Sequence, residues 1–217
     1  MIPKIIHFIW LGPMLDWVTD NIRRFETLNP EHKISLHRDA GELMGDYKEA
    51  YGHCVNISAQ SDLLRLSVLE RHGGWYFDTD TFALRPVADI ERAYDIGDRL
   101  FAPACGGTAD IDVPIIATSK TCVIWPFVHE FIANAELPQK DFWYFANTMM
   151  TRINREHPGV IELGRPDDFH IRGEPNIHTY LRLTAGETVR TKAFCVHGFV
   201  GAGTSNKPWP IIKKDDR

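Results

Sequence analysis

Two carboxylates one residue apart, Asp78 and Asp80, are the strongest candidates for chemistry in this chain of 217 residues. They follow an aromatic run, residues 75–77, that has the composition of a buried strand. Ligands of α/β sheets bind outside the carboxyl ends of strands, where two carboxylates repel each other unless a cation lies between them. Hard oxygen ligands favour Mn²⁺ or Mg²⁺, which keep coordination positions open for phosphates. The pair therefore predicts a metal–diphosphate site.

A second charged pair, Asp62 and Arg65, precedes the carboxylates. The two residues are three positions apart in a predicted helix over residues 58–72, so they share one face. The helix ends at Gly73-Gly74, a common stop signal, and the aromatic strand follows. Arg65 is therefore expected near the carboxylates, where it would bind anionic oxygens. Alone, a D-x-D motif often marks a solvated turn, and this ion pair could be a surface pair worth under about 1 kcal/mol. The occurrence of the D-x-D motif together with the Asp62–Arg65 pair favours a ligand-binding site.

The elements that must position these residues are predicted from the hydrophobic pattern. Strands are expected over residues 4–10, 33–37, 75–77, 81–84, 100–104, 113–118 and 193–197. Helices are expected over residues 16–28, 58–72, 123–135 and 142–156, and Ser58 is the predicted N-cap of the second helix. The initial strand, helix and strand indicate a βαβ unit and a largely parallel sheet.

Composition predicts an ordinary soluble domain. Lys and Arg number 24 and Asp and Glu 29, a formal charge of −5, and 44% of the residues are hydrophobic. These values exclude a disordered chain, a collagen and a coiled coil, and the negative charge argues against non-specific nucleic-acid binding. The four cysteines form no C-x-x-C pair, so we expect reduced thiols. No signal peptide or run of roughly 20 apolar residues is recognisable, so we expect a cytoplasmic protein, at most peripheral to a membrane.

Three segments resemble DXD-containing glycosyltransferase family 32, a mannosyltransferase-like family that binds nucleotide sugars. They are IPKIIHFIWLG at residues 2–12, SDLLR…GGWYFDTD at residues 61–80, and a Val-His pair at residues 196–197 followed by a Gly-rich loop and Trp209. The second segment corresponds to the family's sugar-nucleotide motif and is the most specific of the three. The chain is similar, more distantly, to the catalytic domains of the large clostridial glucosylating toxins.

The resemblance implies an α/β, Rossmann-like GT-A fold with a mainly parallel central sheet, as a single domain over residues 1–217. Residues 1–100 would bind the nucleotide sugar, and residues 101–217 would supply the acceptor part and a C-terminal closing loop. The implied activity is metal-dependent transfer of a sugar from a UDP- or GDP-sugar to a hydroxyl of a saccharide or glycolipid. The family is retaining, so the leaving phosphate would accept the acceptor's proton and no protein nucleophile is expected. Eukaryotic members carry a membrane anchor, so its absence favours a bacterial or viral protein.

The resemblance also assigns roles to individual residues. Asp80 would bind Mn²⁺ or Mg²⁺ directly, Asp78 would contact the ribose or the metal, and His197 would reach the metal or the diphosphate. The implied catalytic set is Arg65, Asp78 and Asp80. Contacts with the nucleotide sugar would come from Trp10, stacked on the base, from Asp62, Arg65, Tyr76 and Asp78, and from Ser205 and Trp209 in the closing loop.

Simpler alternatives remain for some of these residues. Trp10 could equally be a core tryptophan at a strand end, and His197 a buried histidine in the last strand. Asp110 and Asp112 could face the acceptor or could only solvate a loop.

Two other functions remain open at this point. Residues 75–81 also fit the phosphatase motif of the haloacid-dehalogenase class, in which Asp78 is the nucleophile and Asp80 the acid/base. Lys140 and the pair Asp167-Asp168 would then complete the site, but Asp62 and Arg65 would have no role. The other alternative is a non-catalytic module that binds a nucleotide sugar or a saccharide.

Overall fold

The computed structural model of the protein describes residues 1–105, 110–138, 143–169, 182–183, 185–186 and 191–197. Their strands are β1 (Ile5–Ile9), β2 (Lys33–His37), β3 (Gly74–Phe77), β4 (Thr81–Ala83), β5 (Leu100–Pro103), β6 (Ile115–Thr118), β7 (Ile161–Gly164) and β8 (Cys195–His197). Their helices are α1 (Asp16–Leu28), α2 (Gly45–Gly52), α3 (Ile57–His72), α4 (Val87–Ala93), α5 (Trp125–Ala133), α6 (Met149–Glu156) and α7 (Pro166–Phe169). None of these helices is long and apolar enough to cross a membrane.

Six strands form the central sheet, in the order β2-β1-β3-β6-β5-β7. Strand β1 pairs in parallel with β2 and β3, and β5 pairs in parallel with β7. Strand β6 is antiparallel to both of its neighbours, β3 and β5. Five strands therefore run in one direction, which confirms the predicted mainly parallel sheet. The carboxyl ends of β1 and β3 meet at the same edge.

Both faces of the sheet are buried, because side chains alternate between two hydrophobic clusters. On one face, Phe8 and Phe77 pack with Phe25 of α1. On the other face, Ile9 and Tyr76 pack with the apolar residues of α3. This two-sided burial explains the continuous aromatic run of β3, which is typical of a central strand in a parallel sheet.

The start of α3 differs from the prediction. Its N-cap is Asn56 and not Ser58, and the Asn56 Oδ1 accepts a hydrogen bond of 2.7 Å from the Ala59 backbone N–H. Asn and Ser are comparable N-caps, and the extended backbone of Asn56 gives it the required geometry. The helix therefore begins at Ile57, one residue earlier than expected.

The predicted Gly-Gly stop between α3 and β3 is confirmed. Gly73 has φ 62° and donates its N–H to the Leu69 carbonyl at 2.7 Å. Gly74 has φ 106°, and a Cβ there would lie 2.7 Å from the Ile5 carbonyl oxygen. Only glycine satisfies both constraints, because the chain must turn sharply and pass close to β1. This turn delivers β3 and the residues after it to their place in the sheet.

Several elements were not predicted or differ from the prediction. Helices α2, α4 and α7 and strand β7 are short, with eight residues at most, so their hydrophobic patterns carry little periodic signal. The helix expected over residues 142–156 is interrupted: residues Tyr144–Thr148 contain a kink at Ala146, whose φ of −119° and ψ of −108° are not helical, and α6 follows directly. The last predicted strand exists as β8, but it pairs with β4 in a separate antiparallel ribbon. The four cysteines are free thiols, as expected.

Candidate metal and ligand site

The carboxylate pair lies in the turn between β3 and β4, at the carboxyl end of β3. Asp78 donates its backbone N–H to the Pro114 carbonyl at 2.8 Å, which ties the turn to the chain entering β6. Thr81 donates its N–H to the Asp78 carbonyl at 2.9 Å and closes the turn. This location is the edge at which α/β sheets bind ligands, as the sequence predicted.

The ribbon of β4 and β8 brings a third predicted ligand to this turn. Thr81 of β4 is paired with His197 of β8. The His197 Nε2 therefore lies 3.1 Å from Asp80 Oδ1 and 3.5 Å from Asp78 Oδ2. One ligand atom from each of the three residues lies within 4.8 Å of the others. Two carboxylate oxygens and one imidazole nitrogen form a donor set that fits Mn²⁺, and its hard oxygens also suit Mg²⁺.

The charge of the two carboxylates acts strongly on His197. Burial lowers the pKa of this imidazole, but the charges of Asp80, Asp78 and Asp112 outweigh burial and raise it to about 9. The imidazole is thus cationic at neutral pH in the metal-free protein. It partly neutralises the carboxylates, as a metal ion at the same place would do.

Arg65 is buried next to Asp78. Its Nη2 pairs with Asp62, its Nη1 donates to the Val113 carbonyl, and Nη1 lies 3.6 Å from Asp78 Oδ1. The guanidinium also stacks over the Tyr76 ring, at 4.8 Å from its centroid. The prediction that Arg65 lies beside the carboxylates is confirmed by this geometry. Its predicted contact with a diphosphate stays a prediction.

Tyr76 completes the support of Asp78. Burial and the charge of Asp78 raise the pKa of Tyr76 well above its usual range, so the phenol stays protonated. It donates a hydrogen bond of 2.6 Å to Asp78 Oδ1. Asp62 is only 2% exposed and Tyr76 1%, so their predicted contacts with the donor sugar also stay predictions. Asp78 Oδ1 is thus held by protein groups, and Oδ2 is the oxygen that faces His197.

The remaining predicted residues are placed differently. Trp10 follows β1 at the same sheet edge and is half-buried. Its Nε1–H donates a hydrogen bond of 2.7 Å to the Pro13 carbonyl, and its ring contacts the Trp17 ring edge-on. It is therefore not the core tryptophan of the simpler alternative. Ser205 and Trp209 lie outside the described residues. Asp110 is exposed, whereas Asp112 is buried and contributes to the charge around His197.

The role of Asn21 of α1 was not predicted from the sequence. Its side chain is buried and donates hydrogen bonds to the backbone carbonyls of Thr79 and Thr81, on either side of Asp80. A signal was available: Asn21 is a polar residue on the face of α1 that also carries Val18 and Phe25, at helical spacing. A buried amide on an apolar face must find partners, and here they are the carbonyls of the carboxylate turn.

Comparison with known proteins agrees with this geometry. Residues 16–97 match the model of a family described as a glycosyltransferase sugar-binding region containing a DXD motif. The matched part runs from α1 to just beyond α4 and includes Asp62, Arg65 and both carboxylates of the turn. No curated protein sequence matches the chain.

Solved structures of glycosyltransferases share the architecture. The glycosyltransferase PaToxG is 18% identical, with a TM-score of 0.58, over 73% of this chain and 71% of that protein. A glycosyltransferase involved in glycosylation of the major capsid of PBCV-1 is 10% identical, with a TM-score of 0.55, over 89% and 92%. The galactosyltransferase LgtC, solved with donor and acceptor sugar analogues, is 12% identical, with a TM-score of 0.52, over 89% and 86%.

The chain has a GT-A fold. At these identities the structural likeness establishes the fold alone, and the fold expected from the sequence is confirmed. The family match covers residues 16–97, which is less than half of the chain. Membership of family 32 in particular stays a prediction.

Proposed function

We propose that the protein is a metal-dependent glycosyltransferase that moves a sugar from a UDP- or GDP-sugar to a hydroxyl of a saccharide or glycolipid. The observation that carries the proposal is the convergence of Asp78, Asp80 and His197 at the carboxyl end of β3. The three residues come from two distant parts of the chain, and two of them lie inside the matched sugar-binding region. A solvated surface turn needs no such convergence.

The divalent ion would be held by Asp78, Asp80 and His197. When bound, it would supply Lewis-acid stabilisation for the negative charge that develops on the departing nucleoside diphosphate. Arg65, fixed behind Asp78, adds positive potential to the same region. Tyr76 keeps one Asp78 oxygen engaged and thereby orients the other toward the cluster. These roles follow from charge and position.

The transfer would break the bond between the anomeric carbon and the diphosphate oxygen and form a bond from that carbon to the acceptor oxygen. We propose retention, with the acceptor proton passing to the leaving phosphate oxygen. Retention rests on the family resemblance, and the ion pairs bear only on its route. Asp62 and Asp78 are paired with Arg65, and Asp80 with His197, so none of the three is placed as the nucleophile of a covalent intermediate. Residues 1–100 would form the donor half and the remainder the acceptor part.

A phosphatase of the haloacid-dehalogenase class accounts for the site less well. Its nucleophile would be Asp78, one oxygen of which is already engaged by Tyr76 and Arg65. Asp168, needed for its second acidic pair, is already bound by Tyr94 and Arg165. Lys140 lies outside the described residues. The glycosyltransferase gives a role to every residue of the cluster.

A screen of nucleotide sugars with Mn²⁺ tests the proposal. We expect release of UDP or GDP from one donor, with release abolished by EDTA and by Asp80→Asn. Metal-dependent binding of a nucleotide sugar with no release, even with saccharide acceptors present, would favour the non-catalytic binding module. Hydrolysis of p-nitrophenyl phosphate without any nucleotide sugar would favour the phosphatase.

A further inference from the structure

The buried amide of Asn21 connects helix α1 to the carboxylate turn. Its Nδ2 donates to the Thr79 carbonyl at 2.8 Å and to the Thr81 carbonyl at 2.6 Å. Asn21 is 6% exposed, and both carbonyls belong to buried residues. One side chain from the start of the protein therefore holds the backbone on both sides of Asp80.

These bonds fix three successive peptide units around Asp80. The Thr79 carbonyl belongs to the unit before Asp80, and the Thr81 carbonyl to the second unit after it. The unit between them is held by the bond from the Thr81 N–H to the Asp78 carbonyl, at 2.9 Å. With all three peptide planes held, the backbone dihedral angles of Asp80 are fixed, and so is the direction of its Cβ.

We propose that Asn21 is a positioning residue of the metal site. It directs the Asp80 carboxylate toward the His197 imidazole, 3.1 Å away, without touching the ion itself. The proposal rests on the function proposed above. Groups that orient metal ligands commonly act through hydrogen bonds to them, and here the bonds act through the backbone of the ligand.

The residue that directly follows α1, Asn29, supplies a control. The Asn29 Oδ1 accepts a hydrogen bond of 2.7 Å from the Val87 N–H, beyond β4 and at the start of α4. Asn29 is fully buried and, like Asn21, has an amide side chain that joins the region of α1 to a backbone group after β3. Its bond lies away from Asp80, so it should contribute to stability without directing the carboxylate.

The test compares Mn²⁺ binding to the wild type, Asn21→Ala and Asn29→Ala by isothermal titration calorimetry. We expect Asn21→Ala to bind Mn²⁺ about tenfold more weakly or worse, as is typical when groups behind metal ligands are removed. Asn29→Ala should keep the wild-type affinity even where its melting temperature falls. A purely structural role for Asn21 would lower the melting temperature of both variants without separating their Mn²⁺ affinities.

The outcomes distinguish the two proposals. Wild-type affinity in Asn21→Ala, or equal loss in Asn29→Ala, would overturn the positioning role and leave the proposed function standing. A wild type that binds neither Mn²⁺ nor Mg²⁺ would overturn both. If Asn21→Ala does not fold, Asn21→Ser serves instead. Its short hydroxyl cannot reach both carbonyls, so wild-type Mn²⁺ affinity in that variant would also overturn the positioning role.

Discussion

The two carboxylates of the site are supported by different parts of the protein. Asp78 is held locally, by Tyr76 two residues before it and by Arg65 on the preceding helix. Asp80 is held by distant elements, by His197 of β8 and, through the backbone, by Asn21 of α1. The local half is a compact ion-pair network, and the distant half depends on tertiary pairing. The comparison indicates that changes in the local half act mainly on stability and changes in the distant half mainly on metal binding.

The largest expected effect on ligand binding is the loss of metal-dependent nucleotide binding in Asp80→Asn. At about 100 times Kd, Mn²⁺ with UDP or GDP should stabilise the wild type by about 2.7 kcal/mol, a rise of about 5–10 °C in Tm. The variant should show no rise in differential scanning fluorimetry. Asp78→Asn should retain a smaller rise, because one Asp78 oxygen already serves Tyr76 and Arg65. Asp20→Asn, at an exposed position, is the control and should keep the full rise in Tm. An equal loss of the rise in Asp78→Asn and Asp80→Asn would contradict the proposed difference between the two carboxylates.

A second prediction concerns the ion pair of the local half. Arg65→Met should lower the free energy of unfolding by about 3–5 kcal/mol, because it leaves the buried Asp62 without its counter-charge. Urea denaturation measures the loss. Adding Asp62→Asn should recover part of it, since the uncompensated charge is then removed. Arg23→Met is the control, because its pair with Asp20 is exposed and worth within about 0.5 kcal/mol. A similar loss of unfolding free energy in both arginine variants would contradict the conclusion that the buried Arg65–Asp62 pair stabilises the fold.

The third prediction concerns pH and the turn that leads into β3. Burial, and then the neighbouring His37 and His72, lower the pKa of His7 from 6.5 to about 4, although the bond to Gly73 opposes the shift. A carbonyl only accepts, so Nε2 donates to the Gly73 carbonyl and Nδ1 accepts from His37. Below pH 6.5 the unfolded chain binds a proton that the folded protein rejects, so this stability is present above pH 6.5 and lost as the pH falls toward 4.

The free energy of unfolding should therefore fall by about 2 kcal/mol between pH 7 and pH 5 through His7 alone. Urea titrations at the two pH values measure the change. His7→Gln should flatten this dependence, whereas His53→Gln, at an exposed position, should leave it as in the wild type. If the slope survives in His7→Gln, the acid sensitivity belongs to another group.

The smallest predicted effect is at the start of α3. Asn56→Ala should cost about 1 kcal/mol of stability, because the Ala59 N–H loses its cap. Ser58→Ala, at the N-cap first expected from the sequence, should cost nothing measurable. Chemical denaturation of both variants makes the comparison, and the reverse ranking would restore Ser58 as the cap. Neither change removes a residue of the Asp78, Asp80 and His197 cluster, so we expect Mn²⁺ affinity to stay as in the wild type.

The same division explains how much could be predicted from the sequence. Residues 61–80 form one continuous stretch, so helical spacing, a glycine stop and an aromatic strand were enough to place Asp62, Arg65 and both carboxylates together. The ribbon of β4 and β8 required pairing of distant segments, so only the family resemblance suggested His197. In the sequence, Asn21 is a single polar residue on the apolar face of α1. Its partners are backbone carbonyls, which every residue has, so the sequence does not identify them.

Local competition accounts for the finer errors. Asn56 and Ser58 are both good caps, and the sequence alone does not decide between two caps of similar free energy. The hydrogen bond from Arg65 to the Val113 carbonyl was also unexpected. Val113 belongs to the loop before β6, which is distant in sequence from α3. Such contacts depend on which segments become neighbours in three dimensions.

The separate ribbon has a consequence for how the protein is made. Strand β8 is the last described strand and pairs with β4, not with the central sheet. During synthesis, which proceeds from the N-terminus, both carboxylates emerge well before His197. Closing so long a loop costs entropy, so the third ligand joins late. A nascent or truncated chain thus has an acidic turn without its imidazole, so the divalent ion of the proposed site would be held by all three ligands only once the polypeptide has been completed through β8.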